Sequence, residues 1–311
     1  MPFEIIVIDN ASTDETPHLI DEWRRKDPRF RSFREIRLGL SAAKNAGASL
    51  AAGRLLLFTD DDVIVAPNWI RAYVDLFARI GENNTLVGGP VIPVLKNLRA
   101  WPDWFDEQAL ADVGLLDHQT ERPLGKFEYV WGANMAIPAC VFKKIGHWNE
   151  GLGRRGDERG TFEDTEYQDR LKAEGGTVWF CPPARLEHRI ELDRIRPRNV
   201  MQTEFIRGRN QFCMEVLLAY GNMEKAPRSN TVGAMTNLTL ALTVWLFWTA
   251  VFGLTRNRSV FGKTLAAAFA SGECLERMRA GRHSSLLHRV VSRASFLCHS
   301  VILRLTWNPS V

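Results

Sequence analysis

The sequence predicts an α/β fold, a doubly wound and mostly parallel sheet followed by a C-terminal helical region. Three observations carry this expectation. Short apolar runs alternate with helical patterns over residues 4–95, as in parallel sheets with crossover helices. The apolar run Leu55-Leu56-Leu57-Phe58 ends in three consecutive aspartates, Asp60, Asp61 and Asp62. Val232–Leu254 contains no charged residue and is close to the roughly 20 residues that cross a bilayer.

The elements follow in order. Glu4–Ile8 is a β-rich run ended by Asp9-Asn10-Ala11-Ser12, and Thr16-Pro17 opens a helix through Lys26. Phe33–Leu38 reads as a strand closed by Gly39, and Ser41–Ala52 as an Ala-rich helix ending at Gly53. Leu55–Phe58 is the strand before the acids. Asn68–Ile80 is an amphipathic helix, with Trp69, Ala72, Tyr73, Leu76 and Ile80 at helical spacing. Thr85–Val94 is a strand region broken by Gly88-Gly89-Pro90. Residues 96–128 are less regular and hold Trp101, Trp104 and Phe105 among acids and prolines. Long irregular segments inside such domains are usually functional or mobile. Phe127–Ile137 then reads as a strand, Pro138–Ile145 as a short helix, and the Gly- and Arg-rich Gly151–Gly160 as a mobile loop. Thr161–Glu174 is helical, Thr177–Cys181 is a strand stopped by Pro182-Pro183, and a basic helix runs from Arg194 into an apolar stretch ending near Tyr220.

Composition narrows the function classes. A chain of 311 residues holds one large domain or two smaller ones. Its five cysteines, Cys140, Cys181, Cys213, Cys274 and Cys298, form no CxxC pair. That argues against a disulfide framework or a zinc site and fits a reducing compartment. Met1-Pro2-Phe3-Glu4 has neither the basic nor the long apolar region of a secretory signal. The net charge of +4 is uneven: residues 255–311 carry nine Lys and Arg against two acids, so residues 1–254 sum to −3. No aromatic-interleaved basic patch is present, so no nucleic-acid partner is expected.

The uncharged segment is flanked by Lys225 and Arg228 before it and by Arg256 and Arg258 after it, which leaves its orientation undecided. Its threonines and tryptophans leave open whether it spans a membrane, lies on one, or is buried. Downstream, Leu287, Val290, Val291, Ala294, Leu297 and Val301 repeat at helical spacing, with Arg289, Arg293 and Arg304 on the other side. A basic amphipathic helix suits an anionic membrane surface; packing on the protein's own core is the alternative.

The chemistry concentrates at strand and helix ends. Acids beyond the carboxyl end of a strand lie where open α/β sheets bind ligands, and they suit a divalent cation that in turn holds phosphates. A solvated acidic turn is the competing reading. Asp9-Asn10-Ala11-Ser12-Thr13-Asp14 supplies polar acceptors or merely caps the next helix. In Phe162-Glu163-Asp164-Thr165-Glu166-Tyr167, a carboxylate at a helix start accepts a proton from an incoming hydroxyl or caps the helix. His188 is either a ligand or structural.

Taken together, Asp9 to Asp14, Gly39-Leu40-Ser41-Ala42-Ala43-Lys44-Asn45-Ala46-Gly47, Thr59-Asp60-Asp61-Asp62, Gly132-Ala133-Asn134-Met135, Glu163-Asp164 and His188 resemble, in order and spacing, the family 2 glycosyltransferases. The resemblance covers about residues 3–215 and implies the GT-A nucleotide-sugar-binding fold. It implies a GT-A domain at 1–221, with a nucleotide-binding half at about 1–95 and an acceptor and catalytic half at about 96–221. A helical, membrane-associated region follows at 222–311. It further implies that Asp9, Asn10, Asp14, Lys44, Asn45, Asp60, Asp61, Arg207 and Arg209 meet the nucleotide sugar. Asp62, Asp60 and His188 would bind Mn²⁺ or Mg²⁺. Asp164 would be the catalytic base, and Trp101, Trp104, Gly132, Asn134 and Glu163 would face the acceptor. The implied reaction is inverting, hexosyltransferase-like transfer from a nucleotide-diphosphate sugar to a glycan or lipid-linked acceptor, in cell-surface glycan or polysaccharide synthesis. The implied setting is a cell membrane, with the catalytic domain cytoplasmic. Members usually place a strand and helix before the equivalent of Phe3–Val7, so this chain is expected to lack them. An inactive paralogue acting as a membrane-bound binding or assembly partner is the alternative, and a nucleotidyltransferase a third reading.

Overall fold

A computed structural model describes residues 2–96, 101–102, 105, 110, 113–156, 161–220, 231–255 and 258–280. Trp104, Lys225, Arg228 and the basic tail past residue 280 lie outside these residues. The chain divides into two compact units, residues 1–94 with 114–189 and residues 95–113 with 190–311.

The first unit runs β1 (Ile5–Asp9), α1 (Thr16–Lys26), β2 (Phe30–Arg34), α2 (Leu40–Leu50), β3 (Leu55–Thr59), β4 (Val63–Val65), α3 (Trp69–Ile80), β5 (Thr85–Gly88) and β6 (Val91–Leu95). It continues with β7 (Arg122–Pro123), β8 (Asn134–Pro138), α4 (Ala139–Ile145), α5 (Glu163–Ala173), β9 (Thr177–Phe180) and β10 (Leu186–Ile190). α1 has proline at its start and Arg24, Arg25 and Lys26 in its last turn, where cations meet the negative end of the helix dipole. β1 and β2 pair in parallel, Ile5 opposite Phe30. The second strand therefore lies earlier than the expected Phe33–Leu38.

The central sheet has the order β3-β8-β5-β9-β7, and a smaller one the order β4-β10-β6. Alternate side chains enter two cores, as the two-residue period of a strand requires. Leu56, Leu86, Met135, Ile137, Val178 and Phe180 pack with Phe142 of α4 and Tyr167 and Leu171 of α5. Val87 and Ala136 face the other way, onto Trp69, Tyr73, Leu76 and Phe77 of α3. Helices thus cover both faces, as expected of a doubly wound sheet. The sheet itself is mixed rather than mostly parallel. β5 and β9 are parallel, but β8 runs antiparallel to both β3 and β5, and β7 antiparallel to β9. The long excursion between β6 and β8 lets the chain re-enter the sheet in the opposite direction. The regular alternation before residue 95 carries no sign of this reversal.

The second unit holds a 3₁₀ turn at Leu192–Ile195 and three long helices, α6 (Pro197–Tyr220), α7 (Thr231–Thr255) and α8 (Arg258–Ala280). Phe205, Trp245, Phe252, Phe261 and Leu265 form its core. α7 is the uncharged segment. α6 and α8 cross with backbones touching. A Cβ on Gly272 would lie 1.8 Å from the Phe205 carbonyl oxygen, and one on Gly208 1.8 Å from that of Phe269. Only glycine permits this approach.

Gly272→Ala therefore forces α6 and α8 apart. It should lower the unfolding free energy by about 1–3 kcal/mol, measured by urea denaturation; an unchanged midpoint contradicts the crossing.

Candidate active site

The site gathers at the ends of strands in the first unit. Asp9 closes β1 and is buried. Its Oδ1 accepts the Ser12 amide at 2.8 Å, while Arg34 approaches Oδ2 at 3.6 Å. The turn passes through Ala11 at φ +58°, a conformation L-residues other than Asn or Asp seldom adopt. Asn10 is fully used inside the protein. Its Nδ2 donates to the Glu35 and Arg37 carbonyls at 3.0 and 2.8 Å, and its Oδ1 accepts the Gly39 amide at 2.8 Å. Asp14 is exposed and accepts the Thr16 amide at 3.0 Å. Its hydrogen bonds with Thr16 hold its carboxyl below the usual range.

Lys44, on α2, is the one buried cation among the described lysines and arginines. Its Nζ donates to Asp164 Oδ1 at 2.6 Å and lies 3.9 Å from Glu163 Oε1. The indole of Trp148 lies 5.7 Å away and stacks in turn on Tyr167 at 4.2 Å. Burial alone would lower the Lys44 ammonium, but Asp164, Glu163 and Asp60 outweigh it and hold the group well above its ordinary value. Asp164 is held from its other side by the Gly132 amide, 2.8 Å from Oδ2. A Cβ on Gly132 would sit 2.3 Å from both Asp164 Oδ2 and Lys44 Nζ, so any larger residue here would displace the ends of these two side chains. Phe162, at φ +74°, sets the turn that delivers Glu163 and Asp164 at the start of α5.

The triplet follows β3. Asp61 is exposed, while Asp60 and Asp62 are partly buried. Enclosure by protein raises the Asp60 carboxyl; Lys44 opposes this, and Asp164 and Asp62 add to it. Asp60 therefore lies within electrostatic reach of both Asp62 and Asp164. β10 pairs antiparallel with β4, His188 opposite Val63, one residue past Asp62. That register brings His188 Nε2 to 3.2 Å from Asp62 Oδ2.

These residues fit a divalent cation by donor chemistry. Asp62 and His188 supply an oxygen and an imidazole nitrogen side by side. Among the described residues no group of three His, Cys, Asp or Glu forms a ready-made cage. Such a site suits an ion that takes one or two protein donors and fills the rest with phosphate and water, as Mg²⁺ usually does. Asp164 and Asp60 face Lys44, and Asp62 faces His188, so the acids outnumber the one fixed cation and leave negative charge for a metal ion to offset.

Two other expected site residues, Asn45 and Asn134, are held by the fold. Asn45 is buried, exchanging hydrogen bonds with the Trp148 backbone at 2.8 and 3.0 Å and reaching Glu150 at 3.2 Å. Asn134 is fully buried. Its Oδ1 accepts from Trp69 Nε1 and Tyr73 Oη, each at 2.7 Å, and its Nδ2 donates to the Pro90 and Ala184 carbonyls at 2.8 and 2.7 Å. No hydrogen-bonding capacity is left in that amide for an acceptor. Trp101 stacks on Phe105 at 4.9 Å within the second unit. Arg207 and Arg209 lie on α6, also in that unit, with Arg207 paired to Glu204 at 2.8 Å. The described part of the Gly151–Gly160 loop is pinned. Leu40 N donates to the Arg154 carbonyl at 2.8 Å and Ser41 Oγ to that of Leu152 at 3.1 Å. The sequence reading passed over Trp148 and Trp131. Trp131 is 42% exposed, next to the glycine that holds Asp164. An aromatic directly before a Gly-Ala-Asn turn was the available signal.

The family model described as Glycosyl transferase family 2 matches residues 1–144. Glucosyl-dolichyl phosphate glucuronosyltransferase of Haloferax volcanii is 23% identical over 228 residues, 72% of this chain and 71% of that protein. Validoxylamine A glucosyltransferase of Streptomyces hygroscopicus subsp. jinggangensis is 23% identical over 193 residues, 56% of this chain and 44% of that one. A solved structure of the mannosyltransferase PcManGT from Pyrobaculum calidifontis with GDP-Man and Mn²⁺ aligns at TM-score 0.46 and 14% identity, covering 97% of this chain and 73% of that one. S. aureus TarS with UDP aligns at TM-score 0.45 and 13% identity, covering 91% and 84%.

Burial, with Asp164 beside it, raises the Glu163 carboxyl from 4.5 to about 7. The folded protein holds this proton where the unfolded chain has released it, so stability falls as pH rises from about 4.5 to about 7. Glu163→Gln should remove that decline. Between pH 5 and 8 the wild type should lose on the order of 2–3 kcal/mol more than the variant in urea unfolding. Equal losses would show that Glu163 titrates ordinarily.

Proposed function

We propose that this chain, a member of the family 2 glycosyltransferases with a GT-A-like fold of mixed sheets and helices, transfers a hexose from a nucleotide-diphosphate sugar to an acceptor hydroxyl with inversion. The observation that carries the reading is the Asp164 carboxylate, held by Lys44 at 2.6 Å and the Gly132 amide at 2.8 Å, within the field of the acidic strand end.

In this reading Asp9 and the turn after it meet the nucleotide base, and Asn10, with its amide spent on the 35–39 backbone, shapes that pocket from behind. Asp62 and His188, supported by Asp60, would hold Mn²⁺ or Mg²⁺. Such an ion, when bound, would offset negative charge on the diphosphate leaving group. Asp164 takes the acceptor hydroxyl proton as that oxygen bonds to the anomeric carbon. The anomeric bond to the diphosphate breaks, and its electron pair leaves with the nucleoside diphosphate. One displacement with one base inverts the centre. Lys44 and the Gly132 amide each occupy one Asp164 oxygen, fixing the plane of the carboxylate and leaving a lone pair on each for the proton. The exposed indole of Trp131 offers a face for the acceptor sugar. α7 and the basic C-terminal sequence support a reading in which the chain acts at a membrane, which favours a glycan or lipid-linked acceptor.

Asp164→Asn should keep donor binding and lower turnover about 10²–10⁴-fold, measured by transfer assay and calorimetry. Retained turnover would refute its role as base. Asp62→Ala should abolish the Mn²⁺-dependent part of nucleotide-sugar binding in a thermal-shift titration. Unchanged binding would refute the cation assignment.

A further inference from the structure

We propose that α7 lies along an anionic membrane surface and inserts one apolar stripe into it without crossing the bilayer. The proposal deepens the membrane reading above and rests on it.

The segment Asn237–Thr255 has a mean hydropathy of 1.8, yet only 17% of that window is buried within the protein. Its inward side is accounted for: Trp245, Thr249 and Phe252 are buried in the unit's core. Its outward side presents Leu240, Val244, Phe247 and Leu254, exposed by 63, 38, 58 and 88%, with Leu246, exposed by 39%, to one side of them. Spacings of four, three and seven residues put all four on one helical face. The threonines nearby do not demand water. Thr243 Oγ1 donates to the Thr239 carbonyl at 2.8 Å, and Thr255 Oγ1 to that of Val251 at 2.9 Å. Such back-bonding satisfies the hydroxyl within the helix.

The depth of neighbouring charges separates lying from spanning. Phe205 of α6 stacks on Trp245 at 5.3 Å, and beside it Glu204 and Arg207 pair at 2.8 Å. From α8, Lys263 Nζ lies 4.6 Å from the Trp248 ring centre, and Lys263 is exposed. All three charges are level with the middle of the apolar window. If α7 stood upright in a bilayer, they would sit near its midplane, where charged side chains are strongly disfavoured. With α7 lying flat, the Glu204–Arg207 pair stays on its inward side, away from the lipid, and exposed Lys263 snorkels to the lipid phosphates. Charge selects the partner. The nine Lys and Arg against two acids in residues 255–311 complement anionic lipid rather than a neutral protein face.

The test uses the full chain with sealed phosphatidylcholine vesicles, with and without phosphatidylglycerol. Sedimentation should be at least tenfold stronger with the anionic lipid and should weaken in salt. The double variant Leu240→Glu with Phe247→Glu should lose at least tenfold in binding with an unchanged melting temperature. Cysteines introduced singly as Asn237→Cys and Thr255→Cys should both react with an impermeant maleimide added outside, above the wild-type background. One end shielded until the vesicles are opened would overturn the flat orientation while keeping the membrane reading. No binding to either vesicle would overturn both. Binding unaffected by the double variant, or a dimer in solution that the variant dissociates without any effect on vesicles, would overturn the stripe.

Discussion

The first unit depends on one buried cation. Lys44 leaves α2 and reaches Asp164, 120 residues later in the sequence, at 2.6 Å, with Glu163 at 3.9 Å. Removing one partner of a buried pair strands the other charge, a loss of about 3–5 kcal/mol in comparable cases. Here several carboxylates depend on the same ammonium. Gly132 leaves room for that pair, Trp148 floors it, and the left-handed Phe162 turns the chain so that α5 begins beside it. Strain of this kind, concentrated at Ala11 and Phe162, persists only where surrounding structure enforces it.

Around the acids, asparagines do the bracing. Asn10, Asn45 and Asn134 each spend both ends of the amide on the protein. Asn10 fastens the 35–39 segment, Asn45 fastens Trp148, and Asn134 ties α3 to the turns at Pro90 and Ala184. An aspartate could accept but not donate in these places, and would face carbonyl oxygens it repels. In these motifs the amides brace the backbone, while Asp60, Asp62 and Asp164 sit beside the Lys44 and His188 side chains.

That division marks where the sequence was readable. The strand-end positions of Asp9 and the triplet follow from apolar runs and their breaks. So does the amphipathic α3, because periodicity is local. The union of Asp62 with His188 depends on the register of β4 with β10, which no local pattern encodes; only the order of motifs hinted at it. The antiparallel entry of β8 was illegible for the same reason. Asn134 was expected at the site from the resemblance of the Gly132-Ala133-Asn134-Met135 motif, and in the fold its amide is spent on Trp69, Tyr73 and the Pro90 and Ala184 carbonyls. The Gly- and Arg-rich loop looked mobile for want of apolar residues, but in its described part the Leu152 and Arg154 carbonyls bond to α2, and backbone bonding leaves no mark in composition.

The most direct test of this account is a double-mutant cycle on sugar transfer between Lys44 and Asp164, with Lys44→Met, Asp164→Asn and the pair. If Lys44 acts by holding the base, the two losses are strongly non-additive, and the double variant turns over no more slowly than Asp164→Asn alone. Losses that simply add would show that the two residues act independently and would contradict the ion pair as the organising contact of the site.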